Sequence, residues 1–216
     1  MYLSSLLIED TNVYVTIGND PGETDGTEDF ILSPNRWKKI ASAFGIGEVC
    51  EPIPVDADLY DAIVEAAGIT QAVRDGAKVL SGGAKSRREL IHKLCDRGAT
   101  RAHAEAAADF LAKRGYLNET DQAETLARSL LRRNHYGKNR IRAYLCSHGY
   151  PAAAVNRALD KIAPADWREG CMNLLKRKYT PWPADPNEQR KAYAAMARLG
   201  YTAEEVRTAR QCMREE

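Results

Sequence analysis

The chain of 216 residues has no run approaching the roughly 20 apolar residues that a membrane-spanning helix needs. Its first ten residues carry neither a basic n-region nor an apolar stretch of signal-peptide length. Cysteine is sparse: five residues, at 50, 95, 146, 171 and 212, odd in number and without a Cys-x-x-Cys pair. That usage argues against a disulfide framework and fits a reducing cytoplasm. Also missing are a nucleophile elbow, a Walker-type phosphate loop and a dinucleotide fingerprint. Ser81-Gly82-Gly83 is too short for a phosphate loop and lacks a following Lys-Ser/Thr. The acid pair Glu204-Glu205 falls in a helix's first turn, where the macrodipole accounts for it. These absences point away from an enzyme, and neither a cofactor nor a metal is expected.

What is present is a period. Gly98, Gly149 and Gly200 stand 51 residues apart, each preceded four residues earlier by Leu94, Leu145 or Met196. At plus six, nine and thirteen come Ala104, Ala107 and Leu111, then Val155, Ala158 and Ile162, then Val206, Ala209 and Met213. Matched apolar positions on both sides of an equally spaced glycine mark a repeat array. Each glycine stops a helix by taking positive φ. Alanines in each following helix permit close helix–helix approach within three-helix units. Ser86-x-x-Glu89 and Thr202-x-x-Glu205 have capping-box spacing.

Ahead of the repeats, Val13, Val15 and Ile17 alternate with Tyr14 and Thr16 as a half-buried strand does, and Phe30-Ile31-Leu32 supplies its hairpin partner. The loop 18–29 between them holds five acids, but counting Gly26 as the sixth position puts Pro21 first and Leu32 twelfth, so a calcium loop fails and a solvated acidic loop is expected. Ser33-Pro34 opens a helix that stops at Gly45. Two further helices come next, one over 58–67 ended by Gly68 and one from Thr70 to Leu80. The expected fold is therefore mainly α: tandem three-helix repeats in an extended curved array, with a small N-terminal α/β head containing a β-hairpin. The divisions are a head over 1–54, connecting helices over 55–83, repeat one over 84–136, repeat two over 137–181, and a two-helix repeat three over 182–216.

Charge is segregated. Residues 1–80 carry 14 Asp/Glu against 5 Lys/Arg, a net of −9, whereas residues 81–161 carry 16 Lys/Arg against 8 Asp/Glu, a net of +8. Within the basic part, Arg128 and Arg132 share a helix face, with Arg133 and His135 beside them. Lys138 and Arg142 repeat the spacing on the next helix around Arg140. Together with Lys85, Arg87 and Arg88 they form a candidate cationic stripe for phosphates or an acidic protein surface. The bland alternative is a solvated helical face. Cys95 and Cys146 share one repeat position with Ala197, which implies a small buried residue. His92 and His148 fall at different repeat positions, so a zinc site with those cysteines is not expected.

Several of these residues carry a family resemblance. Lys85-Ser86-Arg87-Arg88-Glu89-Leu90 precedes Leu94 and Gly98; Gly115-Tyr116-Leu117-Asn118 precedes Asp121 and Ala123; and the basic stretch leads into Gly137, Lys138, Arg140, Ile141, Leu145 and Gly149. In order and spacing, residues 55–213 resemble the RecX family of bacterial regulatory proteins. The resemblance implies tandem three-helix repeats without catalytic activity. It also implies binding along the groove of the RecA–single-stranded-DNA filament, and with it inhibition of recombinase action in recombination, DNA repair and the SOS response. A cytoplasmic monomer is expected, with direct DNA contact through the basic repeats and no membrane association. The competing readings are a helical-repeat DNA-binding protein and a generic protein–protein scaffold. Against sequence-specific DNA reading, the alanine-rich second helices offer few groups for base edges.

Overall fold

The computed structural model describes residues 1–20, 26–47 and 51–215, which divide into two compact units. The first comprises residues 1–83 and 90–116, and the second residues 84–89 and 117–216.

In the first unit, β1 (Tyr2–Ile8), β2 (Val13–Gly18), β3 (Glu28–Leu32) and the two-residue β4 (Ile53–Pro54) form an antiparallel sheet in the order β3-β2-β1-β4. The expected hairpin pairs Val13 with Leu32 and Ile17 with Glu28. Alternation buries Leu3, Val13, Val15, Ile17 and Leu32 on one face. They pack with Trp37 and Ile40 of α1 (Pro34–Phe44) and with Leu59, Ile63 and Ala66 of α2 (Ala57–Ser81). Helix α1 begins at Pro34, after Ser33, and is closed by Gly45 at φ 66°. The acidic-loop reading falls partly on residues 21–25, outside the described residues. Cys50 is outside them as well. Among the loop acids that are described, Asp29 accepts from the Thr16 hydroxyl at 2.7 Å and Glu28 from the Tyr60 hydroxyl at 2.6 Å.

Helix α2 corrects one expectation. It runs unbroken for 25 residues through Gly68, where the sequence predicts a stop. Gly68 is there for space: a Cβ would lie 2.2–2.9 Å from the His103 ring on α4 (Arg101–Lys113). Gly76, two turns on, similarly admits Leu111, whose Cδ1 would be 2.7 Å from an added Cβ. Glycine weakens a helix by about 1 kcal/mol relative to alanine, and here close contact with α4 outweighs that loss. Thr70, also buried, donates to the Ala66 carbonyl at 2.7 Å and accepts from Ser33 N–H at 3.2 Å, which ties α2 to the start of α1. The chain changes unit after residue 83, within α3 (Arg87–Cys95) after residue 89, and again after residue 116.

The second unit holds α5 (Glu119–Asn134), α6 (Lys138–Ser147), α7 (Ala152–Asp160), α8 (Pro164–Lys178), α9 (Pro186–Arg198) and α10 (Ala203–Glu215). Helices α5, α6 and α7 bury Ala123, Ala127, Leu131, Ile141, Leu145, Val155 and Ala158 together. Helices α8, α9 and α10 do the same with Cys171, Leu174, Leu175, Met196, Val206 and Ala209. Tandem three-helix packing is thus the architecture, but its phase differs from the one counted from the glycines. The closest pairs are α2 with α4, α5 with α7 and α8 with α10, so each trio begins one helix earlier than the divisions at 84, 137 and 182. The long helix ahead of each short glycine-terminated helix belongs with the two helices C-terminal to it, because its apolar face is covered from that side. The 181–186 stretch is clamped by Trp182, which packs against Tyr179 and Tyr193 beneath the Arg210 guanidinium, 3.9 Å from the ring centre.

The periodic glycines do more than end helices. All three have positive φ: 95° at Gly98, 85° at Gly149 and 95° at Gly200. At Gly200, however, the end of α9 meets the start of α6. Gly137 N–H donates to the Leu199 carbonyl at 2.7 Å, Asn139 N–H to the Gly200 carbonyl at 3.3 Å, and the Arg140 guanidinium to the Arg198 carbonyl at 2.7 Å. Tyr201 adds its hydroxyl to the His135 carbonyl at 3.0 Å. Unpaired amides of one helix start are thereby satisfied by unpaired carbonyls of another helix end, with the two macrodipoles placed positive end to negative end. The arrangement recurs where the Ser86 hydroxyl donates to the His148 carbonyl and Arg88 to the Ser147 carbonyl, at the end of α6.

Gly98 and Gly200 differ in surroundings, and substitution should separate them. A Cβ at Gly98 meets nothing within 4 Å, whereas at Gly200 it lies 2.4 Å from Arg140 N and 2.8 Å from the Gly137 carbonyl oxygen. Gly98→Ala should cost only the strain of left-handed backbone, about 1–2 kcal/mol. Gly200→Ala should cost a further 1–3 kcal/mol or so from overpacking and lower Tm by about 4–8 °C more. Equal Tm losses by calorimetry would contradict the joint.

Candidate polyanion-binding surface

Helix α5 positions three exposed cations, Arg128, Arg132 and Arg133. Asn118 caps it, accepting from Asp121 N–H at 3.2 Å, and its buried face carries Ala123, Ala127 and Leu131. The 3.6-residue period then places Thr125, Arg128, Ser129, Arg132 and Arg133 on the outward side, where they line a surface depression of about 560 Å³. Arg128 and Arg132 also line a second cavity of about 430 Å³ between α5 and α8. Its floor is Leu131, Ile162 and Gly170, its far wall Asp166, Glu169 and Asn173, and its end His135. His135 closes α5 in the left-handed conformation at φ 52°, the one non-glycine positive φ among the described residues. The stop expected from sequence is at Tyr136-Gly137, immediately beyond it.

Electrostatics leaves these arginines available. Glu124 stands one helical turn before Arg128, the spacing of an ion pair, yet its carboxylate is engaged by Lys161 at 2.6 Å and Arg157 at 3.3 Å. The hydrogen bond from Lys161 holds the Glu124 carboxyl below the ordinary carboxylate range, with the charges of Lys161 and Arg157 adding to it. Among the described residues the Arg128 side chain reaches only the Lys161 carbonyl, at 3.4 Å. Among the described residues the side chains of Arg132 and Arg133 make no hydrogen bond or ion pair.

The other candidate cations have partners. Lys138 pairs with Asp160 at 3.3 Å, and Arg142 donates to Asn156 at 2.9 Å. Arg140 caps the α9 end and lies over the Tyr136 ring at 4.3 Å. Arg88 caps the α6 end, and Lys85 lies 4.0 Å from Glu89. Arg87 is half-buried, its amide donating to Glu119 at 2.8 Å. Of the nine cations named from sequence, Arg128, Arg132 and Arg133 share one surface, while Arg88 and Arg140 are fixed at helix ends. Sequence reasoning missed Thr125 and Ser129, which a look at i, i+3 and i, i+4 neighbours of the arginines would have found. It also missed Asp166, Glu169 and Asn173, which only packing brings opposite them.

The cysteines correct another expectation. Cys95, Cys146 and the equivalent Ala197 are exposed, because the residue after the buried Leu94, Leu145 or Met196 points about 100° away around the helix. Cys171 is the buried one, and burial, with Glu205 nearby, pushes its thiol up to about 12. No group of three or more His, Cys, Asp or Glu residues that could hold a metal occurs among the described residues. No helix among them is long and apolar enough to cross a membrane.

The fold defines a tandem three-helix-repeat protein with a small β-containing head. No family model matches the chain. It is 36% identical over 126 residues to the Regulatory protein RecX of Stenotrophomonas maltophilia strain K279a, an alignment covering 57% of this chain and 76% of the relative. It is 32% identical over 147 residues to the Regulatory protein RecX of Halorhodospira halophila, covering 67% and 90%. The chain belongs to the RecX family of regulatory proteins. In fold it is similar to a crystal structure of regulatory protein RecX, with a TM-score of 0.73 at 16% identity over 97% of this chain and 98% of that one. RecX from Lactobacillus salivarius superposes with a TM-score of 0.63 at 17% identity, covering 69% and 98%.

Because the thiolate is the reactive form, a small alkylating reagent at about pH 8 should modify Cys95 and Cys146 in the native protein and leave Cys171 untouched until denaturant is added. Mass spectrometry of the digested protein reads the order. Labelling of Cys171 as fast as Cys95 would show that its burial is wrong.

Proposed function

We propose that this protein binds the RecA recombinase filament on single-stranded DNA and inhibits recombinase action, without catalysing a reaction itself. Membership of the RecX family supports the reading, and the observation that carries it is the face of α5, where three arginines and two hydroxyls line one open surface. Guanidinium groups suit such a partner because they pair with phosphates or carboxylates in a bidentate geometry. A filament presents the same acidic features at every protomer. Several weak contacts along it then act together, and overall affinity exceeds that of any one.

The roles of the nine sequence-named cations divide accordingly. Arg128, Arg132 and Arg133 make the intermolecular contacts, joined by Arg142 and Lys138 where their internal partners let go. Arg88 and Arg140 tie the starts of α3 and α6 to the ends of α6 and α9, while Arg87 stands at the start of α3 and Lys85 just ahead of it. Replacing the first group affects binding without affecting folding, and replacing Arg140 does the reverse.

Co-sedimentation with RecA assembled on single-stranded DNA tests the reading at two salt concentrations. The full chain should pellet with the filament, bind more weakly at the higher salt, and slow RecA ATP hydrolysis. Arg128→Glu with Arg132→Glu and Arg133→Glu should reduce affinity by at least about tenfold, since each charge-assisted contact is worth about 1.5–3 kcal/mol, with the circular dichroism unchanged. Arg140→Gln should instead lower Tm while leaving filament affinity near wild type. Absence of both co-sedimentation and an effect on hydrolysis would rule the proposal out.

A further inference from the structure

The cavity between α5 and α8 has a donor wall and an acceptor wall that do not pair with each other. Arg128 and Arg132, one turn apart on α5, form the first; Asp166, Glu169 and Asn173, on successive turns of α8, form the second. Opposite charges lining one space of about 430 Å³ would ordinarily close into salt bridges. Yet among the described residues no ion pair joins them, and the side chains of Arg132, Asp166, Glu169 and Asn173 are without any hydrogen bond. Packing holds the walls apart: an added Cβ at Gly170 would lie 2.8 Å from Leu131 Cδ1 and 3.0 Å from the Tyr201 hydroxyl, so α5 and α8 already meet closely at the floor. The lining also includes His135, which closes α5 in the left-handed conformation. Non-glycine residues held in that region gather at binding sites.

Such a space selects a flat body that accepts hydrogen bonds on one edge and donates them on another. Guanine is the nucleobase of that form. Its O6 and N7 accept, and arginine pairs with them in a bidentate manner. Its N1–H and exocyclic amine donate side by side, matching the two oxygens of a carboxylate. Adenine and cytosine place a donating amine where guanine has O6, and thymine lacks the paired donors. The base's faces suit the Leu131–Ile162 floor and the His135 ring. Arg128 and Arg132 belong both to this cavity and to the depression completed by Thr125, Ser129 and Arg133. The phosphate of a bound nucleotide therefore has its own donors beside the base.

We propose that the α5–α8 cavity is a pocket for a guanine nucleotide, with Arg132 and Arg128 on the Hoogsteen edge, Glu169 and Asp166 on the donor edge, and the phosphate on the Ser129–Arg133 side. The inference rests on reading the α5 arginines as a polyanion surface. Its strand and nucleotide titrations use no recombinase, so guanine recognition stands or falls separately from filament binding; only the last outcome below returns to the filament.

The experiment titrates the full chain into labelled short single strands of repeating TTG, TTA and TTC, with GMP and AMP as competitors. The TTG strand should bind about tenfold more tightly than the other two, the discrimination of one good bidentate pair. Glu169→Gln combined with Asp166→Asn should bring the three strands to within about twofold while leaving TTA affinity unchanged or slightly raised, because repulsion of phosphate falls as the acids are neutralised. Both residues are exposed, and circular dichroism checks that the variant is folded. Guanine preference in the strands alone assigns the pocket to a base within nucleic acid; displacement by GMP in preference to AMP assigns it to a free nucleotide; either supports the proposal. Equal affinity for all three strands together with equal competition by GMP and AMP overturns it, as does a guanine preference that survives in the double variant. Should wild type show no guanine preference while the double variant loses filament co-sedimentation, the cavity belongs to a protein segment and the proposal is wrong.

Discussion

The second unit depends on helix ends meeting helix ends. A short helix leaves four amides unsatisfied at its start and four carbonyls at its finish, which is a large fraction of its backbone when it is only ten residues long, as α6 is. Here the two sets answer each other. The start of α6 takes the carbonyls at the end of α9, and the carbonyls at the end of α6 are taken by Ser86 and Arg88. Each hydrogen bond contributes only about 0.5–1.5 kcal/mol net, but leaving a buried partner unmade costs more. Repeats joined this way are held in register by backbone-to-backbone bonds at the α9–α6 joint and by side chains on backbone carbonyls at both joints.

That joint explains the positions of glycine and tyrosine better than helix termination does. Gly137 and Gly200 face each other so closely that a Cβ on Gly137 would be 2.5 Å from the Gly200 carbonyl carbon and oxygen. Tyr150 and Tyr201, one period apart, are both buried, and burial is the main reason both phenols are pushed up. For Tyr201 the hydroxyl donates to the backbone of the preceding trio, a contact that ionisation would abolish. Gly98, at the first copy of the motif, is followed by Ala99 instead of a tyrosine and has open space around it.

The same joint sorts the cations. An arginine at a helix end neutralises carbonyl partial charge and is held in one geometry. An arginine on the outer face of a long helix keeps its solvent and its freedom. Arg88 and Arg140 are of the first kind, Arg132 and Arg133 of the second. The capture of Glu124 by Lys161 and Arg157 keeps an acid one turn from Arg128 out of its reach. A positive surface therefore survives on α5 in a chain whose formal charge is only +1. RecX-family regulators sharing this fold at 16–17% identity have kept the helical framework with most side chains changed. The backbone-to-backbone character of the joint is consistent with that tolerance.

By itself the sequence determined the repeat: the 51-residue spacing of Gly98, Gly149 and Gly200, the buried positions four before and six and nine after, the apolar position thirteen after (buried at Leu111 and Ile162, half-buried at Met213), and the strand pair at the start. Those are matters of pattern, governed by helical and strand periodicity and by the few residues that accept positive φ, and each copy of the motif and the strand pair can be read within a window of about 20 residues. Tertiary structure alone decided the rest. It carried α2 straight through Gly68 because His103, far along the chain, needed the space. It set the phase of the three-helix trios, since a helix with an apolar stripe is indifferent in sequence to which neighbour covers it. It buried Cys171, whereas the outward turn of Cys95 and Cys146 follows from helical periodicity after the buried Leu94 and Leu145. It also placed Asp166 and Glu169 opposite Arg128 and Arg132 across some 40 residues of chain, because which charges face each other depends on how helices cross and not on their order along the backbone.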